Sequence, residues 1–216
     1  DLALMLMLMV ARRAGEGERL VRAGQWTSWR PTHMIGTRVT GKTLGIIGMG
    51  RIARATALRA QHGFGMKIAF FNRSRLAPEQ LPGLDAQQCD TVEEVLAQAD
   101  FVSLHCPGGE ETRHLMNATR FAAMQRHAYL INTARGDVVD EAALVEALQQ
   151  GLIAGAGLDV YEHEPRVPAA LLTMENVVVL PHLGSATRET RVGMGLMAAD
   201  NLSAFFAGET PPNKVA

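Results

Sequence analysis

Three short segments carry polar residues that together could run carbonyl chemistry. They are Asn132-Thr133-Ala134-Arg135-Gly136, Gly157-Leu158-Asp159-Val160-Tyr161-Glu162-His163-Glu164-Pro165 and Leu180-Pro181-His182-Leu183-Gly184-Ser185. Hydride addition to a carbonyl needs a proton donor for the developing alkoxide, and a histidine supplies one. A carboxylate partner favours the charged form of an imidazole. A substrate carboxylate needs a guanidinium fork to orient it. Arg135, Glu164 and His182 meet these three needs. Each also has a plain structural reading: His182 as a cap after Pro181, Glu164 as a surface-loop acid, Arg135 as half of a salt bridge.

A second chemistry stands upstream. Leu44 to Ala53 reads Leu-Gly-Ile-Ile-Gly-Met-Gly-Arg-Ile-Ala, an apolar run entering a Gly-x-Gly-x-x-Ala turn. Gly48 permits a tight exit from a strand, Gly50 removes the Cβ that would block a pyrophosphate, and Ala53 lets the next helix lie close on the sheet. Met49 completes the turn. Arg51 and Ile52 open a helix whose free N–H groups and positive dipole end suit an anion. A lone glycine fingerprint is weak, but here a strand precedes it, a helix follows, and a second strand, Lys67 to Phe71, comes next.

That second strand ends in Phe71-Asn72-Arg73-Ser74-Arg75. NAD enzymes usually place Asp or Glu here, on the adenosine ribose hydroxyls, and a carboxylate would repel a 2′-phosphate. Asn72 does not repel one. Arg73 can pair with a phosphate and stack on adenine, and Ser74 can donate to a phosphate oxygen. The expected cofactor is therefore NADP(H), with NAD(H) as the alternative; the competing reading is that Arg73 and Arg75 are solvated loop charges.

These residues need a scaffold that places strand ends side by side. The pattern predicts a helix over 1–23, an irregular stretch over 25–40 with Trp26, Trp29 and Pro31, and then alternating strands and helices. Strands are expected at 43–47, 67–71, 100–104, 128–132, 153–158 and 177–180. Helices are expected at 50–62, 91–98, 117–124, 140–150 and about 185–207, with Thr91 and Asn117 as caps. Apolar strands separated by helices predict an α/β fold, a Rossmann-type doubly wound parallel sheet covered on both faces. The expected division is 1–40 and 184–216 as segments linked to a second, substrate-binding domain, with 41–183 as the dinucleotide-binding domain.

Composition excludes several classes. The 216 residues carry a net charge of −1, which gives no basic footprint for nucleic acid. Cys89 and Cys106 are too few for a disulfide framework or a zinc cluster, so a cytoplasmic location and no metal are expected. The apolar run Leu2 to Val10 is too short to span a bilayer, and Arg12 and Arg13 stand at the wrong end for a signal peptide.

Taken together, Gly48–Ala53, Asn132–Asp137, Gly157–Pro165 and Pro181–Thr187 resemble the D-isomer-specific 2-hydroxyacid dehydrogenases, most closely their glyoxylate/hydroxypyruvate reductase branch. The resemblance runs from Asp1 to the C-terminus. It implies that Arg135, Glu164 and His182 carry catalysis, that Asp159 lies near the nicotinamide carboxamide, and that Thr133, Cys106 and Pro107 line the cofactor cleft. Ala134, Arg135, His182 and Gly184 complete the expected cofactor contacts. It further implies a small 2-oxo or 2-hydroxy acid as substrate and a homodimer. One departure is Gly108-Gly109-Glu110, where relatives carry a bulkier loop. Another is length: family members run roughly a hundred residues longer at the N-terminus, a size consistent with a further small domain. On that reading the chain lacks the part that grips the substrate carboxylate, and it is expected to bind cofactor without turning over alone. A nucleotide-sensing corepressor and another dehydrogenase of the family are the alternatives. Formate enzymes pair the histidine with a glutamine, which Glu164 argues against.

Overall fold

Short aliphatic runs build the centre of the protein, whose computed structural model describes residues 1–214. Seven strands form one sheet: β1 (Thr43–Ile47), β2 (Lys67–Phe71), β3 (Ala86–Cys89), β4 (Phe101–Leu104), β5 (Tyr129–Asn132), β6 (Gly155–Leu158) and β7 (Val177–Val179). Their order is β3-β2-β1-β4-β5-β6-β7, and every neighbouring pair is parallel. The order reverses between β1 and β4, so the crevice beyond their carboxyl ends is the natural ligand site of this topology.

Helices cover both faces, as near-continuous apolar strands require. On one side α1 (Leu2–Ala11) and α3 (Arg51–Phe64) pack over a core that includes Leu6, Met7, Ile46, Ala53, Phe70 and Phe101. On the other, α4 (Val92–Leu96), α5 (Ala118–Ala123), α6 (Glu141–Gln149) and α7 (Ala169–Thr173) close over Val95, Leu104, Phe121, Leu130 and Leu144. Thr91, Asn117 and Asp140 each accept a hydrogen bond from a backbone N–H in the first turn of the helix they precede, which fixes where α4, α5 and α6 begin.

The expected helix over 1–23 is two helices. Arg13 has a φ of +54° and ends the first, and its guanidinium grips Glu16 at 2.7 Å through both Nε and Nη2. The second, α2 (Ala14–Arg22), starts beyond that bend. Strand β3 was not foreseen, nor were α7 and the 3₁₀ turns Glu110–Thr112 and Gly136–Val138.

Residues Asp1–Pro181 form one compact unit, and His182 begins a second. In the second, Thr187 caps α8 (Arg188–Phe206), and Asn201 and Asn213 exchange hydrogen bonds at 2.9 and 3.0 Å. No side chain of α8 is buried, and Val192, Leu196, Phe205 and Phe206 lie exposed. Among the described residues no helix is long and apolar enough to cross a membrane.

Candidate functional site

The turn after β1 is built as its glycines predict. Gly48 sits at φ +89°, and a Cβ there would lie 2.8 Å from the Cys106 backbone nitrogen, so the turn and the end of β4 meet backbone to backbone. A Cβ on Gly50, by contrast, would meet nothing within 4 Å. Gly50 is also the N-cap of α3, and no side chain caps that helix. The first-turn N–H groups of Arg51 and Ile52 therefore face the space that Gly50 leaves, the geometry that binds phosphate. Met49 is buried, and its N–H donates to Asn72 Oδ1 at 3.1 Å. Ala53 is fully buried against the sheet.

A cleft of about 740 Å³ opens at this edge, within the range of cofactor sites. Gly48, Gly50, Asn72, Arg73, Cys106 and Pro107 line it, so the residues expected from the ends of β1, β2 and β4 come together. Burial pushes the Cys106 thiol up to about 11, which keeps it protonated and inert near neutral pH. Asn72 is a bracket as well as a neutral strand end: its amide donates to the Ser74 carbonyl at 3.1 Å and to Ser74 Oγ at 3.2 Å. Arg73 is not a free fork, because its guanidinium is paired with Glu111. Arg75 pairs with Asp90 at 3.2 Å.

His105, at the cleft floor, was not singled out from the sequence. Its Nε2 lies 2.9 Å from Ser103 Oγ, and burial pushes its pKa down to about 4. The unfolded chain, with histidine near 6.5, binds more protons between those values, so stability is lost as pH falls from about 6.5 towards 4. The expected loss is up to about 3 kcal/mol, reduced by the residue's remaining exposure. Urea midpoints measured from pH 7 to pH 4 should fall more steeply for the wild type than for His105→Gln; equal slopes would refute the assignment.

The next two strand ends carry the residues expected to do the chemistry. Asn132 is buried, and its side chain closes the following turn by accepting from Ala134 N at 3.0 Å and donating to Arg135 O at 2.9 Å. This clamp shapes Thr133-Ala134-Arg135 and leaves Arg135 exposed. After β6, Asp159 is buried, its N–H on the Asn132 carbonyl at 3.0 Å. Glu164 is exposed, and its Oε1 accepts from the Tyr161 N–H at 3.1 Å.

Neighbouring groups tie these loops together. Glu162 Oε1 accepts from Arg113 Nη2 and faces His114 Nε2, each at 2.8 Å, and the Glu162 N–H donates to Glu141 at 3.0 Å. The Tyr161 hydroxyl donates to the Leu180 carbonyl at 2.9 Å, and burial pushes its pKa up to about 12. Glu111 and Glu162 went unnoticed as site-shaping residues, because a pairing partner tens of residues away leaves no local pattern.

His182 and Gly184 stand at the start of the second unit. His182 is exposed and has a φ of +55°, a conformation unusual outside glycine that clusters at functional positions. Among the described residues, no group of three or more metal-ligating side chains stands together.

A parallel sheet with this strand order, an open glycine turn and an uncapped helix N-terminus over a cleft define a dinucleotide-binding α/β domain. The family described as "D-isomer specific 2-hydroxyacid dehydrogenase, NAD binding domain" matches residues 4–184, and the chain belongs to it. It is 48% identical over 219 residues to a glyoxylate reductase of Thermococcus litoralis, covering all of this chain and 65% of that relative. It is 48% identical over 216 residues to glyoxylate/hydroxypyruvate reductase B of Klebsiella pneumoniae, covering all of this chain and 66% of the relative. A solved structure of an NADPH-dependent glyoxylate/hydroxypyruvate reductase of Sinorhizobium meliloti, in complex with citrate, superposes with a TM-score of 0.87 at 37% identity, over 99% of this chain and 66% of that one. The chain thus spans about 65% of the length of the curated relatives it matches.

Proposed function

We propose that the protein reduces a small 2-oxo acid of the glyoxylate or hydroxypyruvate type to the D-2-hydroxy acid, with NADPH preferred and NADH accepted. What carries the reading is the open coenzyme cleft, whose wall residue Gly108 lies against the Arg135 side chain, in a chain nearly half identical to reductases of that name. The coenzyme, when bound, supplies the hydride. The first turn of α3 and Gly50 hold its pyrophosphate, and Asn72, Arg73 and Ser74 hold the adenosine end. Thr133, Ala134, Asp159 and Gly184 serve the nicotinamide side. Arg135 orients the substrate carboxylate, His182 donates the proton to the developing alkoxide, and Glu164 favours the charged imidazole.

The remaining parts of the proposal concern setting. Residues 1–40 and 184–216 link the dinucleotide-binding domain to a substrate domain, and the location is cytoplasmic. Leu4, Met5, Leu8 and Met9 of α1 leave an apolar groove with Phe64, which supports a homodimer that buries it.

The test is coenzyme oxidation by the full-length protein with glyoxylate, hydroxypyruvate, pyruvate and phenylpyruvate, alongside titration of both coenzymes. Glyoxylate and hydroxypyruvate should be turned over best. The variant Asn72→Asp with Arg73→Ala should lose about tenfold or more in NADPH affinity, by adding repulsion and removing a charge-assisted contact. Equal wild-type affinity for NADPH and NADH would remove the coenzyme assignment.

A further inference from the structure

Arg73 stands at the mouth of the cleft with its guanidinium on the Glu111 carboxylate. The two residues come from opposite walls. Arg73 belongs to the loop after β2, and Glu111 to the 3₁₀ turn that follows Pro107. Their side chains are 77% and 78% exposed, so solvent screens the pair and it contributes little to stability. Its consequence is competition.

The neighbours are already engaged. Arg75 is matched by Asp90, and Asn72 is held between Met49 and Ser74. A phosphate arriving at Arg73 meets a guanidinium whose Nη1 is already on Glu111, and must compete with that carboxylate and remain beside it. A phosphomonoester brings a charge on the order of −2, so the exchange meets like-charge repulsion. An adenosine with a free 2′-hydroxyl meets neither obstacle.

We infer that Glu111 is a coenzyme-specificity residue, which by occupying Arg73 holds down the preference for a 2′-phosphorylated adenosine over the unphosphorylated one. The inference rests on the reading of Arg73 as the phosphate-binding residue. It assigns the 3₁₀ turn a role in choosing between coenzymes, and it places the tuning element on the wall opposite the β2 loop.

Two probes that differ only in the 2′-phosphate test this: adenosine 2′,5′-bisphosphate and 5′-AMP, titrated calorimetrically into the full chain. Glu111→Gln keeps the size of the side chain and removes its charge. It should tighten the bisphosphate about three- to tenfold and leave 5′-AMP within about twofold. In an Arg73→Gln background the same change should gain less than about twofold, because no guanidinium is released. Raising the salt should shrink the gain, as screening of exposed charges requires. The inference is overturned if Glu111→Gln leaves the ratio of the two affinities unchanged, tightens both probes equally, or keeps its full gain without Arg73. If Arg73→Gln weakens the bisphosphate while Glu111→Gln is silent, only the role of Glu111 falls. If Arg73→Gln is silent and the wild type does not favour the bisphosphate, the phosphate-binding reading of Arg73 falls with it.

Discussion

Gly136→Ala is expected to destabilise the protein by about 4 kcal/mol or more, beyond the usual cost of overpacking, because nothing nearby can yield. A Cβ on Gly136 would lie 1.8 Å from the Tyr161 carbonyl carbon, 1.9 Å from its oxygen and 2.4 Å from the Glu162 nitrogen. All three atoms are backbone, so no rotamer change relieves the overlap. The displaced segments are also anchored. Val138 and Val139 are buried in the core, and Tyr161 is held through its hydroxyl to Leu180. For a chain of this size the loss corresponds to roughly 10 °C in melting temperature. Thermal unfolding followed by circular dichroism measures it, and a melting temperature within about 2 °C of wild type would refute the argument. The same contact explains why the Arg135 and Glu164 loops stay close: their backbones touch where only glycine fits. Coenzyme titration of whatever folded Gly136→Ala protein remains should show the cleft disturbed less than substrate turnover, since the glycine turn at Gly48–Gly50 lies on other strands.

What was legible in the sequence follows the physics of burial. Strands β1, β2, β4 and β5 are covered by helices on both faces, so three or four apolar residues within a run of four or five positions mark each of them. Strand β3 reads Ala-Gln-Gln-Cys and lies at the sheet edge, where half its surface is wet, and no apolar run betrays it. The break at Arg13 depends on a residue in the left-handed region stabilised by its ion pair with Glu16, within a stretch whose composition otherwise reads as helix. At the site, the glycine turn was legible because each of its positions has a local steric purpose. Asn132 was visible as a residue but not as the clamp that shapes the Arg135 turn. Glu111 was invisible, since it reaches Arg73 across 38 residues of chain and its loop was expected only to differ from relatives in bulk.

His182→Ala is expected to lower kcat for reduction of the 2-oxo acid by about two to four orders of magnitude, the usual worth of a positioned general acid. On the proposed role, the proton from His182 would be needed only as negative charge develops on the substrate oxygen, so the loss should appear in the transition state and leave KM much less affected. Coenzyme binding provides the control. The glycine turn, the first turn of α3 and the Arg73 loop all lie in the unit that ends at Pro181, so titration of NADPH against His182→Ala should give an affinity within a few-fold of wild type, a difference of about 1 kcal/mol at most. On the proposed roles Arg135→Ala should behave differently, raising KM as well as lowering kcat, because the substrate carboxylate would be bound and aligned through it in the ground state as well as in the transition state. A His182→Ala enzyme with intact kcat, or one whose loss is matched by an equal loss of coenzyme affinity, would remove the proton-donor role. The second outcome would make His182 a residue that holds coenzyme and nothing more.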